Sequence, residues 1–284
     1  MNDDLIDETR RSWNLATRAH NRHKRDQAAF LRGGGSTLFP EETELVGDVC
    51  GKRLLHLLCN SGQDSLSLAG LGAVVTGVDL SDEAIAFATR LSGESGLPAT
   101  FVESEAQAFL EASVPRSFDV VFMSYGALIW IADIARLFRG IAAVLAPGGR
   151  VVVFEFHPLV WSFDEELHLK DPYFAEGHVF SDPVSDYVGA SGGGLAPSGL
   201  VTSEGEAEAA FFNPHKAHSY QHPVGDQLTA MIEAGLSIAT VREYPYANGC
   251  RVNQALVERE GRRFTTPDGV PSLPLMLGVV ATRP

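Results

Sequence analysis

The stretch Arg53-Leu54-Leu55-His56-Leu57-Leu58-Cys59-Asn60-Ser61-Gly62-Gln63-Asp64, followed seventeen residues beyond Gly62 by Asp79, constrains what this chain can fold into more than any other part of it. An apolar run leads into a tight turn and a helix start. A second apolar run, Ala73 to Val78, ends on a carboxylate. An α/β sheet builds an adenosyl pocket in this way, with backbone amides at the first turn and an acid for the ribose hydroxyls at the end of the next strand. The pattern implies a nucleotide-type cofactor.

The same rhythm continues. Strand candidates at 53–58, 73–78, 100–102, 119–123 and 150–156 are mostly continuous apolar runs, as parallel strands covered on both faces require. Ser81 is a good N-cap with Asp82 and Glu83 in the first turn, and Gly96 lies beyond the end of that helix. Segment 131–145 carries one broad apolar face and stops at Ala146-Pro147-Gly148-Gly149, a turn signal before the fifth strand. A helix near 224–235, a strand near 237–244 and a last strand from Leu275 to Thr282 complete the pattern. The expected fold is α/β: a Rossmann-like, seven-stranded, mostly parallel sheet with helices on both faces.

Two regions fall outside this pattern. Residues 1–35 read as a helical arm ending at Gly33-Gly34-Gly35. It either closes over a site as a lid, swaps onto a neighbouring subunit to make a homo-oligomer, or packs on the sheet. Within the main domain, 36–284, residues 158–222 are rich in aromatics and histidine and hold the glycine-rich loop Gly189 to Gly199. They are expected to form an inserted cap.

The net charge of −14 argues against a nucleic-acid partner, which would need a concentrated basic surface. The basic cluster Arg22, His23, Lys24 and Arg25 reads as a solvated helix face. No run of eighteen apolar residues suggests a membrane span. Three cysteines, Cys50, Cys59 and Cys250, have no metal-ligand spacing and no closed disulfide set, so a reducing, cytoplasmic setting is expected.

With these elements in place, the chain resembles the class I S-adenosylmethionine-dependent methyltransferases, and within them a small-molecule subgroup. Leu54 to Gly62 resembles the first motif, Val75-Thr76-Gly77-Val78-Asp79-Leu80-Ser81 the second, and Phe101 to Ala106 the adenine-reading segment. Ser117 to Phe122 and Leu145 to Arg150 resemble the fourth strand and the turn before the fifth. The sequence departs from the family at three positions: His56 stands where an acid is usual, and Leu58 and Asn60 replace glycines.

The resemblance implies S-adenosylmethionine as cofactor, with S-adenosylhomocysteine as product, held by Cys59, Asn60, Ser61, Gly62, Asp64, Asp79, Leu80, Ser104, Glu105, Ala106 and Ser124, with Trp13 and His20 from the arm. Gly62 is expected to let backbone approach the cofactor, and Asp79 to accept from both ribose hydroxyls. Backbone carbonyls from Leu57 to Asn60, assisted by Asp64, are the candidates to stand in for the missing acid. Tyr125, with Trp130, faces the sulfonium or an aromatic acceptor. His157, closing the fifth strand, is the candidate base or orienting group, and His222 a second imidazole.

No metal is expected, because His178, His215, His218 and His222 lack an accompanying carboxylate or thiolate set. The implied activity is methyl transfer to oxygen, nitrogen or carbon of a small acceptor in secondary metabolism. The alternatives are a silent cofactor-binding sensor or scaffold, and a nicotinamide oxidoreductase. Asp64 opposes the last of these by repelling a diphosphate.

Overall fold

In the computed structural model, residues 3–24, 26–175, 177–191 and 211–284 are described. Arg25 and the Gly192 to Gly199 part of the glycine-rich loop lie outside them.

Seven strands form the central sheet: β1 (Arg53–Leu57), β2 (Val74–Asp79), β3 (Ala99–Glu103), β4 (Phe118–Ser124), β5 (Leu145–Phe156), β6 (Ser237–Tyr244) and β7 (Met276–Thr282). Their order is β3-β2-β1-β4-β5-β7-β6. Only β7 runs against its neighbours, pairing antiparallel with both β5 and β6. The order reverses between β1 and β4, so the carboxyl ends of those strands open a crevice where α/β sheets take their ligands.

The helices are α1 (Asp3–Arg22), α2 (Gln27–Arg32), α3 (Pro40–Val46), α4 (Gln63–Gly70), α5 (Asp82–Ser95), α6 (Ala106–Ala112), α7 (Ile134–Val144), the short α8 (Tyr187–Ala190) and α9 (Val224–Glu233). On one face of the sheet, Leu137, Phe138 and Ile141 of α7 and Met231 of α9 pack on Val121, Val151 and Val279. On the other, Leu45 and Val46 of α3 and Leu68 of α4 pack on Leu54, Phe122 and Phe154. Both faces of β4 and β5 are covered, and that is why their apolar runs are continuous.

Two expectations need correction. The Ala146 to Gly149 turn lies within β5: Phe118 pairs with Leu145 and Val120 with Arg150, so the excursion is a bulge. Mutual backbone bonds to Arg283 hold it, Gly148 N donating to Arg283 O at 2.9 Å and Arg283 N to Gly149 O at 2.8 Å. The region between β6 and β7 is also more than a connection. Ala247–Asn248, Val257–Arg259 and Arg263–Thr265 form a small antiparallel sheet, a second insertion beside the cap.

The arm lies against its own chain. Asn14 bridges to the start of α5, accepting from Ser81 Oγ at 2.6 Å and donating to Asp82 Oδ1 at 2.6 Å. Asn21 donates to Ser61 Oγ at 2.8 Å. On its other side Ser12 joins the cap, accepting from Val184 N at 3.0 Å and Asn213 Nδ2 at 3.0 Å. One helix therefore ties the first-motif turn to the cap.

Candidate active site

Two cavities meet at the carboxyl edge of the sheet. The first is lined by Cys59, Asn60 and Asp64 after β1, Asp79 and Leu80 after β2, Ser104 to Ala106 after β3, Ser124 and Tyr125 after β4, and Trp13, His20 and Lys24 of the arm. The second, of about 400 Å³, lies under the cap and the second insertion, with walls that include Phe156, Trp161, Phe180, Tyr220 and Arg251. Trp13, Tyr125, Gly126, Trp130 and Tyr187 line both and form an aromatic neck between them. Trp13 meets Trp130 edge-on at 5.4 Å between ring centroids.

The first-motif turn keeps a glycine-like path without the glycines. Leu58 (φ 54°) and Asn60 (φ 48°) are both left-handed, as is Gly62 (φ 77°), the N-cap of α4. Such a backbone costs a β-carbon-bearing residue on the order of 1–2 kcal/mol, less for asparagine. Asp79 holds the turn in place. Its Oδ2 accepts from Asn60 N at 2.8 Å and its Oδ1 from Ser81 N at 2.9 Å. Each carboxylate oxygen retains acceptor capacity toward the cavity, which is what a ribose diol needs. The residues present therefore suit an adenosyl group.

All the expected cofactor residues line this cavity except Ser61 and Gly62. Ser61 is buried and receives the bond from Asn21. A β-carbon on Gly62 would lie 2.7 Å from Ala88 Cβ and 2.8 Å from the Phe101 ring, so helix packing, not cofactor approach, demands this glycine. The Glu105 carboxylate folds back as the cap of α6, accepting from Gln107 N at 3.0 Å and Ala108 N at 2.7 Å. His56 is buried with its Nδ1 on Ser65 Oγ at 2.8 Å, and burial pushes its pKa down to about 3. It is neutral and cannot supply the missing negative charge.

Asp64 is the acid of this turn that lines the cavity, and its Oδ1 accepts from Thr37 Oγ1 at 2.5 Å. Burial raises the Asp64 pKa, opposed by Thr37, by the Lys24 ammonium and by Ser124. Lys24 is itself pushed down to about 8 by burial, with Asp64 acting against the shift. His20, lowered to about 4 by burial, bonds Ser185 O at 2.9 Å and packs on Tyr187 at 4.2 Å.

The expected catalytic set does not assemble. Tyr125 stands in the neck, but neither His157 nor His222 lines either cavity. The His157 ring caps the turn after β5, accepting from Leu159 N at 3.2 Å and pairing with Glu243 Oε1 at 2.9 Å. His222 is 2.7 Å from Ile131 O, anchoring the start of α9. His218 does line the first cavity, yet its nitrogens are taken by Glu8 at 3.0 Å and Ser181 at 2.9 Å. Among the described residues, the one grouping with metal-ligand proximity is Asp164, Glu166 and His168, none of which lines either cavity.

Two acids that build the neck were missed. Glu155, buried in β5, accepts from Gly126 N at 2.5 Å, Ala127 N at 2.7 Å and Leu128 N at 3.0 Å, and so shapes the loop after β4. Burial lifts its pKa to about 7 against those three bonds. Glu42, fully buried on α3, accepts from Tyr125 Oη at 2.6 Å and from Phe39 N at 2.8 Å. A lone glutamate between Phe154 and Phe156 signalled the first. Pro40 opening a helix with two acids in its first turn signalled the second.

The fold and crevice place this chain with the class I methyltransferase fold. A structure of an S-adenosylmethionine dependent methyltransferase from Mesorhizobium loti superposes over 88% of this chain and 99% of its own, with a TM-score of 0.55 at 22% identity. A SAM-dependent methyltransferase from Methanosarcina mazei does so over 87% and 98%, with a TM-score of 0.52 at 19% identity. Residues 54–149 match the methyltransferase domain family. Over 109 residues the chain is 38% identical to the ubiquinone biosynthesis O-methyltransferase of Ralstonia nicotianae, which is 38% of this chain and 45% of that enzyme. The chain thus spans less than half the length of the curated relatives it matches. Among the described residues no helix is long and apolar enough to cross a membrane.

Proposed function

We propose that this protein transfers a methyl group from S-adenosylmethionine, bound in the first cavity, to a small acceptor bound in the second. The observation that carries the reading is the shared aromatic neck, which joins a cavity suited to an adenosyl group to one that is separately walled. Bound there, S-adenosylmethionine supplies a methyl group activated by positive sulfur. The chain's own task is alignment and exclusion of water. Asp79 and the first-motif turn hold the nucleoside, and Asp64 with Lys24 meets the charged amino-acid end. The faces of Trp13, Tyr125 and Trp130 attract a cation at the neck. Arm and cap, joined through Ser12 and Asn213, close both cavities.

The acceptor is not carried over from the relatives. The matched segment 54–149 supplies the cofactor side, whereas most of the second cavity comes from the cap and the second insertion. Its walls suit an acceptor with a flat apolar body and a nucleophilic oxygen, nitrogen or carbon, as in secondary metabolism. Transfer of radiolabelled methyl to any member of a metabolite panel supports the reading. Tight cofactor binding with no transfer across a broad panel would favour a sensor or scaffold. A cytoplasmic location and a homo-oligomer built through the arm remain parts of the proposal, tested by fractionation and light scattering.

A further inference from the structure

Among the described residues Glu42 is an acid without a cation. It is wholly buried, and among the described residues no lysine, arginine or histidine pairs with it. The charged groups that face it are Asp64 from α4 and its own neighbour Glu41, both acids. Glu41 has partners of its own in Arg263, Tyr246 and Asn248. Asp64 has Lys24, Thr37 and Ser124. Among the described residues Glu42 has only neutral donors, Tyr125 Oη and Phe39 N, both on Oε2. Its Oε1 is buried with no hydrogen-bond partner among the described residues. Tyr125, whose hydroxyl bonds it at 2.6 Å, lines both cavities at the neck.

We propose that Glu42 is the proton sink of the transfer reaction, reached through Tyr125, and that it is ionised when a sulfonium occupies the first cavity. The proposal rests on the methyl-transfer reading above. A positive sulfur beside Tyr125 would supply the cation that Glu42 lacks. As the acceptor atom bonds to the methyl carbon and the carbon–sulfur bond breaks, the acceptor's proton passes to Tyr125 Oη. The tyrosine's own proton passes to Glu42 Oε2. Positive sulfur and carboxylate are both neutral afterwards, so charge and protons balance and no buried charge is left alone. Burial and the two neighbouring acids push the Glu42 pKa well above the usual carboxylate range, and a nearby cation acts against that shift.

The linkage has a definite sign. A cation lowers the raised pKa, so between the two values binding of S-adenosylmethionine releases a proton and binding of uncharged-sulfur S-adenosylhomocysteine does not. The preference for S-adenosylmethionine should then rise with pH, by up to about tenfold per unit in that window. The two ligands share adenosine, ammonium and carboxylate, so their difference isolates the sulfonium.

The test is calorimetric titration of the full chain with each ligand near neutral pH, in buffers of different ionisation enthalpy. About one more proton released per site with S-adenosylmethionine, abolished in Glu42→Gln, is the expected result. The amide introduced by Glu42→Gln retains an oxygen for Tyr125 and Phe39. Equal proton counts for two ligands that both bind would overturn the proposal, as would a difference that persists in Glu42→Gln. If Glu42→Gln does not fold, the pH dependence of the wild-type preference decides, and a preference that does not rise with pH overturns the proposal. Failure of both ligands to bind would instead remove the parent reading, and this one with it.

Discussion

The two cavities share a wall but are made differently. The first is assembled mainly from short stretches at the ends of β1 to β4, each a few residues from a buried strand, with the arm laid across them. The second is walled by residues scattered from Trp13 to Gln254, rich in aromatics and mostly on segments inserted between the strands. A sheet fixes its own edges, so the first cavity has the geometry the fold dictates. The second has the geometry its insertions dictate and can change without disturbing the sheet. Cofactor recognition and acceptor recognition should therefore be separable by mutation, except where the neck serves both.

The largest effect should fall on the shared wall. Glu155→Ala leaves three buried amides at Gly126, Ala127 and Leu128 without an acceptor. At roughly 1–3 kcal/mol for each unsatisfied group, stability should drop by about 3 kcal/mol or more, lowering Tm by roughly 10 °C. A melting curve within about 2 °C of wild type would mean that the neck loop does not depend on this acid.

Acid should expose two buried imidazoles, both at the first cavity. His56 is lowered to about 3 and His20 to about 4 from an ordinary value near 6.5. Each group binds more protons unfolded than folded in that range. The stability of its neutral state is complete above about 6.5 and lost by about 1.4 kcal/mol per unit below it, down to the folded value. Glu155, raised to about 7, acts in the opposite sense, gaining stability as pH falls through that value. The clean observable is thus the difference between wild type and His56→Gln or His20→Gln in urea unfolding at about pH 7 and about pH 5. A difference independent of pH would contradict the burial of that ring as a neutral group.

Asp79→Ala should weaken S-adenosylmethionine binding at least about tenfold, because two charge-assisted ribose bonds and the support of Asn60 N go together. Trp161→Ala, whose side chain lines the second cavity alone, should leave that affinity within about twofold while raising KM for an acceptor once one is found. Equal loss of cofactor affinity in both variants would break the distinction between the cavities. The smallest effect belongs to Asn60→Gly. Glycine relieves a left-handed asparagine but loses the bonds that Asn60 Oδ1 accepts from Ser61 N at 2.6 Å and Ser61 Oγ at 2.9 Å, so the two effects oppose and stability should fall by no more than about 1 kcal/mol. A large loss would show that the asparagine side chain itself builds the turn.

The sequence made the first cavity readable and the second largely not. Asp79, Asp64 and the strand ends sit next to their own apolar runs, so a local pattern locates them. Trp13 and His20 were expected at this cavity and line it, although the bonds of the arm to the cap were not legible. Glu42 reaches Tyr125 from a helix eighty-three positions away, and no local pattern records such a meeting. The insertion at 247–265 has strands of only two or three residues, too short for alternation to mark. His157 stands out in the sequence because it ends a strand at the right edge. Its ring turns back to cap the chain and meets Glu243, a direction that sequence position does not encode.

The central claim is that the first cavity takes S-adenosylmethionine despite His56, Leu58 and Asn60. Calorimetric titration of the purified chain with S-adenosylmethionine, S-adenosylhomocysteine and NAD in parallel tests it most directly. The account predicts roughly micromolar binding of the first two and none of NAD. Binding of NAD, or of none of the three, would contradict it.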